Sequence, residues 1–331
     1  MSLVHTVRWR GREKVLLLTF NSVLIGSFAV ETKGWRWTQW SILFFNTLCL
    51  VAVGFLRESY RKILLRQRIK VRGEDSASGD HTSTRQAVML FFRATVIRPV
   101  HMLLAEPIVG LVCLYCSFQF SLLYAFVVTS PYVFFTVYGF SLRSQGLTFL
   151  GFIIGSCFAP ATIILLDRWF YRPKFAEFER MTKDPQNREL HASRFPPEHR
   201  LYSSMIGSII LPMGLFWFAW TARASIHWIC PIVAQGVTIF GSVLIYVGAN
   251  FYMMDTYGPL YGASAAGASS LCRYSLAAAF PLFTLQMYQD LGIEWATSLL
   301  GFCAVAMALI PWFLYHFGPR LRAKSKYECE L

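Results

Sequence analysis

The residues best placed to do chemistry in this chain are polar groups set inside oily sequence. Asn46, Gln119, Gln235 and Asn250 lie within long apolar runs, and Glu106, Asp167, Asp255 and Arg273 lie within or beside them. An ionisable side chain at the centre of a bilayer costs about 2.5–3.5 kcal/mol on insertion scales, so such groups must face protein, water or a solute. The amides suit two uses, hydrogen bonding a solute in a cavity or tying one helix to the next, and the residues leave both open. The carboxylates and Arg273 fall toward run ends, where they can lock helix termini. Arg273 can also pair with Asp255 if the intervening stretch, DTYGPLYGASAAGASSLCR, folds back on itself. Its small residues suit either close helix packing or an unwound hinge.

Other chemistries find no support. The sequence has no G-x-S-x-G, no H-E-x-x-H and no G-x-x-x-x-G-K-[ST], so neither hydrolysis nor ATP-driven work is expected, and no catalytic residue is assigned. The seven His residues fall mostly in connections or at run edges. Cys113 and Cys116 form a C-x-x-C, but they sit on one apolar run with no second pair. The eight Cys residues read mainly as small buried side chains, and neither metal nor cofactor is expected.

The elements that must carry these residues are membrane helices. Of 331 residues, 55% are hydrophobic and 15% charged, with a mean hydropathy of +0.44. Soluble domains carry roughly 25% charged residues. The apolar residues gather into eight runs: Val15–Val30, Thr38–Leu56, Pro107–Thr129, Gly146–Leu166, Leu201–Thr221, Trp228–Met254, an interrupted one from about Gly262 to Tyr288, and Trp295–Phe317. Each approaches the roughly 20 residues that cross a bilayer core, and backbone polar groups in hydrocarbon must be paired internally. The fold class is therefore all-α integral membrane, with about eight transmembrane helices.

A net charge of +13 can mark a nucleic-acid binder, but its distribution points to topology instead. With the amino terminus cytoplasmic, the outward connections hold only Lys33, Arg36, Arg143 and Arg223 of 31 basic residues. That bias places both termini in the cytoplasm. The longest connection opens with the basic amphipathic RESYRKILLRQRIKVR, continues through the polar linker GEDSASGDHTSTR, and closes with an amphipathic stretch from Gln86 to Leu104. The first stretch can lie on anionic headgroups.

Several segments together resemble the fungal drug and polyamine proton antiporters of the major facilitator superfamily, in its twelve-helix branch. They are GWRWTQW at Gly34–Trp40, IRPVHMLLAEPIV at Ile97–Val109, FPPEHRL at Phe195–Leu201, MMDTYGPLYGASA at Met253–Ala265, and AAAFPLFTLQMYQDLGIEWATSLLGF at Ala277–Phe302. The resemblance runs from about Val23 onward and implies that the eight spans are helices five to twelve of that fold, with the first four missing. It divides the chain into a remnant of the amino-terminal bundle (1–56), a central cytoplasmic loop (57–106), a six-helix bundle (107–317) and a cytoplasmic tail (318–331). Helix five of the family carries G-P-x-x-G-G; here Ser22, Val23, Gly26 and Ser27 stand at the matching places, so that signature is largely lost.

What the resemblance implies for function is transport, without catalysis. The expected role is proton-coupled efflux of a small organic molecule, whether drug, toxin, secondary metabolite or polyamine, across the plasma membrane. Lipid, substrate and protons are the partners, and nucleic acid is not. Gln119, Tyr124, Gln235 and Asn250 are the candidates along the substrate path. The motif at Pro197, Glu198, Arg200 and Leu201 matches the family pattern, so Glu198 and Arg200 join a charge network closing one face; they also suit an ordinary helix start. Asp167 and Arg168 are similar to the charged gate of the superfamily, and Asp255 and Arg273 complete the gating candidates. Alternating access needs two bundles, so the chain is expected either to be inactive alone or to assemble with itself or another transporter. The alternatives are a nontransporting membrane scaffold or a degenerate transporter, with a lipid-modifying enzyme further off.

Overall fold

The computed structural model describes residues 26–27, 30–31, 34–54, 89, 97–183 and 195–325. The expected first span lies largely outside these residues, as do the basic amphipathic stretch, the linker and Ser22 and Val23. The described residues are helical, without strands, and are joined by short turns.

Helix α1 is Trp35–Gly54, the second expected span. Almost all of its described side chains are exposed, including Phe44 and Leu50. A short helix α2, Arg98–Ala105, follows. Its Met102 is fully buried in a core shared with Ala265 and Ala268, so this part of the expected surface helix packs on the bundle.

Helix α3, Pro107–Tyr138, opens with Pro in its first turn and ends at Gly139, whose φ of 65° lets its N–H reach back to the carbonyls of Phe134 and Phe135. It runs past the expected end at Thr129, because Thr129 and Ser130 are buried in the bundle and Thr129 bonds the Ala125 carbonyl. Helices α4 (Leu142–Thr148) and α5 (Leu150–Leu166) form the next crossing. A π turn at Asp167–Tyr171 and helix α6, Arg172–Lys183, extend it. A 3₁₀ turn at Pro197–Leu201 leads into α7, Tyr202–Thr221.

From Ile229 to Arg322 the helical hydrogen bonding is nearly continuous, but the backbone leaves helical geometry at Gly258 (φ 60°, ψ −164°) and Gly292 (φ 77°, ψ 162°). Positive φ costs a side-chain-bearing residue strain that glycine escapes. These two glycines therefore cut the run into α8 (Ile229–Gly258), α9 (259–291) and α10 (293–322). The interruption expected within the seventh run falls outside it, at Gly258 and Gly292, and the small-residue stretch after Gly258 stays helical. Small side chains there bring α9 close to α2: a Cβ on Gly267 would stand 3.5 Å from Pro99 Cγ.

Helix α8 lies at the centre of the packing. Gly151 and Gly155 of α5 meet its backbone at Ile232 and Gly236, and Gly207 and Gly214 of α7 meet it at Gly241 and Thr238. Among the described residues, two large apolar cores lie along the bundle, with a smaller third at Ala159, Ile163 and Leu244. One holds Phe126, Phe152, Phe218 and Leu300; the other holds Val112, Tyr252, Tyr257 and Leu314. The outer surface is as oily as the core, with Leu282 79% and Leu309 69% exposed. Such a coat is stable in hydrocarbon and unstable in water. Of the cysteines, Cys113 and Cys116 are buried as expected, whereas Cys49, Cys157 and Cys303 are exposed on that coat.

Candidate functional site

Two polar regions stand out, a charged one at one end of the bundle and an aromatic one near mid-depth. At the charged end α5 hands over to the π turn, α7 begins and α8 stops. Arg200 Nε donates to Asp255 Oδ2 at 2.9 Å, and its Nη1 lies 3.6 Å from Asp167 Oδ1. Arg172 holds the other oxygen of Asp167 at 3.1 Å. The Arg200 guanidinium also lies 3.8 Å from the centroid of the Tyr171 ring. A planar fork that bridges two carboxylates while stacking on a ring is work for Arg in particular, since Lys offers neither the fork nor the stack.

The start of α7 and the end of α10 are joined nearby. Glu198 is buried, with Oε1 3.2 Å from Arg322 Nη2. Buried Glu106, just before α3, accepts a hydrogen bond from the Tyr257 hydroxyl at 3.2 Å. These contacts gather Asp167, Glu198, Arg200 and Asp255 at one end. Arg168 is exposed and outside the ion pairs of the described residues. Asp255 bonds Arg200 and not Arg273, because the chain stays helical beyond Gly258 and so carries Arg273 away from the end.

The opposite end is held by its own pairs. Glu31 bonds Arg143, with Nε at 3.3 Å and the backbone N–H at 3.0 Å. Arg223 reaches Glu294 at 2.6 Å, and the Tyr138 hydroxyl donates to the Arg223 carbonyl at 3.0 Å.

Between the ends the amides separate into two groups. Gln119 and Gln235 are fully buried in the α3–α8 seam. The Ser242 hydroxyl donates to Gln119 Oε1, and Gln235 Nε2 donates to Ser130 Oγ at 2.8 Å. Asn250 is half-buried and donates to the Tyr246 carbonyl of its own helix at 2.7 Å. Tyr124 is exposed and packs edge-on against Phe120.

That aromatic pair leads to Arg273, near the middle of α9. The Arg273 guanidinium lies 5.0 Å from the Tyr246 centroid, 5.1 Å from Phe120 and 5.4 Å from Tyr274. The residue is only 8% exposed, and Nη2 donates to Ser270 Oγ at 3.1 Å. Its Nε has no hydrogen-bond acceptor. Each desolvated cation–π contact is worth up to about 2 kcal/mol, so three rings can offset much of the cost of a buried guanidinium. The orphaned N–H still costs about 1–3 kcal/mol. Sequence reading singled out Arg273 and Tyr124 but missed Phe120, Tyr246 and Tyr274, because aromatic residues are too common here for any one to stand out.

The described residues form a bundle of tightly packed apolar helices, with ion pairs at its ends and an aromatic cluster around Arg273 between them. Residues 19–281 match the Major Facilitator Superfamily. The chain belongs to that superfamily. It is 34% identical over 322 residues to Polyamine transporter 4 of Saccharomyces cerevisiae, covering 92% of this chain and 49% of that protein. Against the MFS-type efflux pump MFS2 of Trichophyton rubrum the identity is 36%, over 92% of this chain and 49% of the pump. Against the Ascochitine biosynthesis cluster MFS transporter of Didymella fabae it is 35%, over 93% and 58%. This major facilitator chain thus spans about half the length of the curated relatives it matches. No solved structure matches it. It is a multi-pass membrane protein, and the relatives named are transporters.

Proposed function

We propose that this chain serves the proton-coupled export of a small organic molecule across the plasma membrane, with both termini in the cytoplasm. The eight expected spans then correspond to helices five to twelve of the superfamily fold. Region 107–317 forms one of the two bundles between which the substrate path runs. Residues 1–56 belong to the other. The cluster of Phe120, Tyr124, Tyr246, Asn250, Arg273 and Tyr274 at mid-depth is the observation that carries this reading. Solute sites of alternating-access carriers lie near the bilayer midplane where two bundles meet.

In this reading Tyr124 and Asn250 line the path, while Gln119 and Gln235 hold α3 to α8 beside it. Asp167, Arg200, Asp255 and the Glu198–Arg322 pair act as a latch at the cytoplasmic end, opening as the bundles rock. Arg168 would join this latch only in another state of the cycle.

The test is flux. Proteoliposomes carrying the chain, with a pH gradient imposed, should accumulate an organic probe faster than empty liposomes, and a protonophore should abolish the difference. Binding without gradient-dependent flux would favour the nontransporting scaffold.

A further inference from the structure

We propose that Arg273 is the recognition point for an organic anion, and that the solute this bundle handles is an aromatic carboxylate. The inference rests on the carrier reading above and names the substrate class of the same path. Arg273 is a guanidinium over nine-tenths buried, near the middle of a membrane helix. No carboxylate lies within ion-pair distance of it among the described residues, and the buried or bundle-end carboxylates that α9 could reach are engaged elsewhere. Asp255 is on Arg200, Glu198 on Arg322, and Glu106 bonded to Tyr257.

Buried charges are ordinarily paired. Here the rings of Phe120, Tyr246 and Tyr274, from three helices, screen the cation by their faces while Nε keeps an unspent donor. The mouth of the cluster is aromatic and open, since Tyr274 is 59% and Tyr124 39% exposed. A flat ring can stack there while its carboxylate reaches the guanidinium. A polycation would meet a fixed positive charge in the same place and be repelled. The carboxylate could come from a free solute or from an acidic side chain of a partner bundle, and a soluble probe separates the two.

The experiment uses the full chain in nanodiscs and calorimetric titration with 2-naphthoate, its neutral isostere 2-naphthylmethanol, and spermidine. Naphthoate should bind saturably and at least about tenfold more tightly than the alcohol, the margin of a charge-assisted hydrogen bond. Arg273→Gln should erase that margin and Arg273→Lys should keep part of it. The comparison among ligands on the unaltered chain stands even if a variant misfolds. Saturable binding of the alcohol or spermidine without binding of naphthoate overturns the assigned substrate class and leaves the carrier reading intact. Unchanged naphthoate affinity in a monodisperse Arg273→Gln overturns the role of Arg273. Failure of all three probes to bind overturns the assigned substrate class, while the carrier reading stands or falls by the flux test.

Discussion

Arg200 touches Asp255, Asp167 and Tyr171 at once, while Gln119 has one buried partner, and this difference sets what their loss should do. The Arg200 pairs are about one-third exposed at the carboxylates, so Arg200→Lys should cost about 1 kcal/mol, near the upper range for exposed pairs. A fall in the thermal midpoint of the purified chain would register it, and an unchanged midpoint would deny the latch any hold on the resting structure. Gln119→Leu leaves the Ser242 hydroxyl unpaired and should cost about 0.6–1.7 kcal/mol, the range measured for hydrogen bonds between membrane helices. At this scale sequence showed where polar groups lay but not whom they met. Ser242 and Ser130 are ordinary residues more than a hundred positions from their amides. Only the register of α3 against α8 brings them together. The cage around Arg273 was hidden for the same reason, each ring coming from a different helix.

Helices were the most legible elements, because apolar runs of bilayer length leave the backbone few other ways to pair its polar groups. Their ends were less so. A run was expected to stop at Thr129, yet α3 continues because the Thr129 hydroxyl bonds the Ala125 carbonyl of its own helix, Ser130 accepts from Gln235 of α8, and both bury against the bundle. The breaks at Gly258 and Gly292 follow from glycine's tolerance of positive φ, but sequence alone did not tell which of many glycines would use it. The close approach of α5 to α8 is a further consequence of small residues that only the folded chain shows. A Cβ at Gly155 would overlap the Gly236 carbonyl. Gly155→Val should therefore destabilise by about 1–3 kcal/mol, as overpacking usually does, while Gly262→Ala, with nothing nearer than 3.9 Å, should be close to neutral. Equal midpoints for the two variants would remove the α5–α8 seam from the account.

For the whole molecule, the ion pairs sort to two ends. Arg143 with Glu31 and Arg223 with Glu294 mark one, and the Arg200 latch with Glu198–Arg322 marks the other. Positive charge is sparse at the first, and the proposed topology puts that end outside. Arg223→Cys should thus react with an impermeant thiol reagent on intact cells, and Arg322→Cys only after permeabilisation. The reverse pattern would invert the topology. The proposed solute path requires the cluster around Arg273 to face water, and native Cys303, exposed on the apolar surface of α10, offers an internal control. The decisive measurement is site-resolved mass spectrometry of Tyr274→Cys in nanodiscs treated with a charged methanethiosulfonate. Modification at position 274 about tenfold or more above that at Cys303 is the result predicted, since the thiolate that reacts forms in water and not in hydrocarbon. Equal protection at both positions would mean that the cluster faces lipid and that no solute path runs past Arg273.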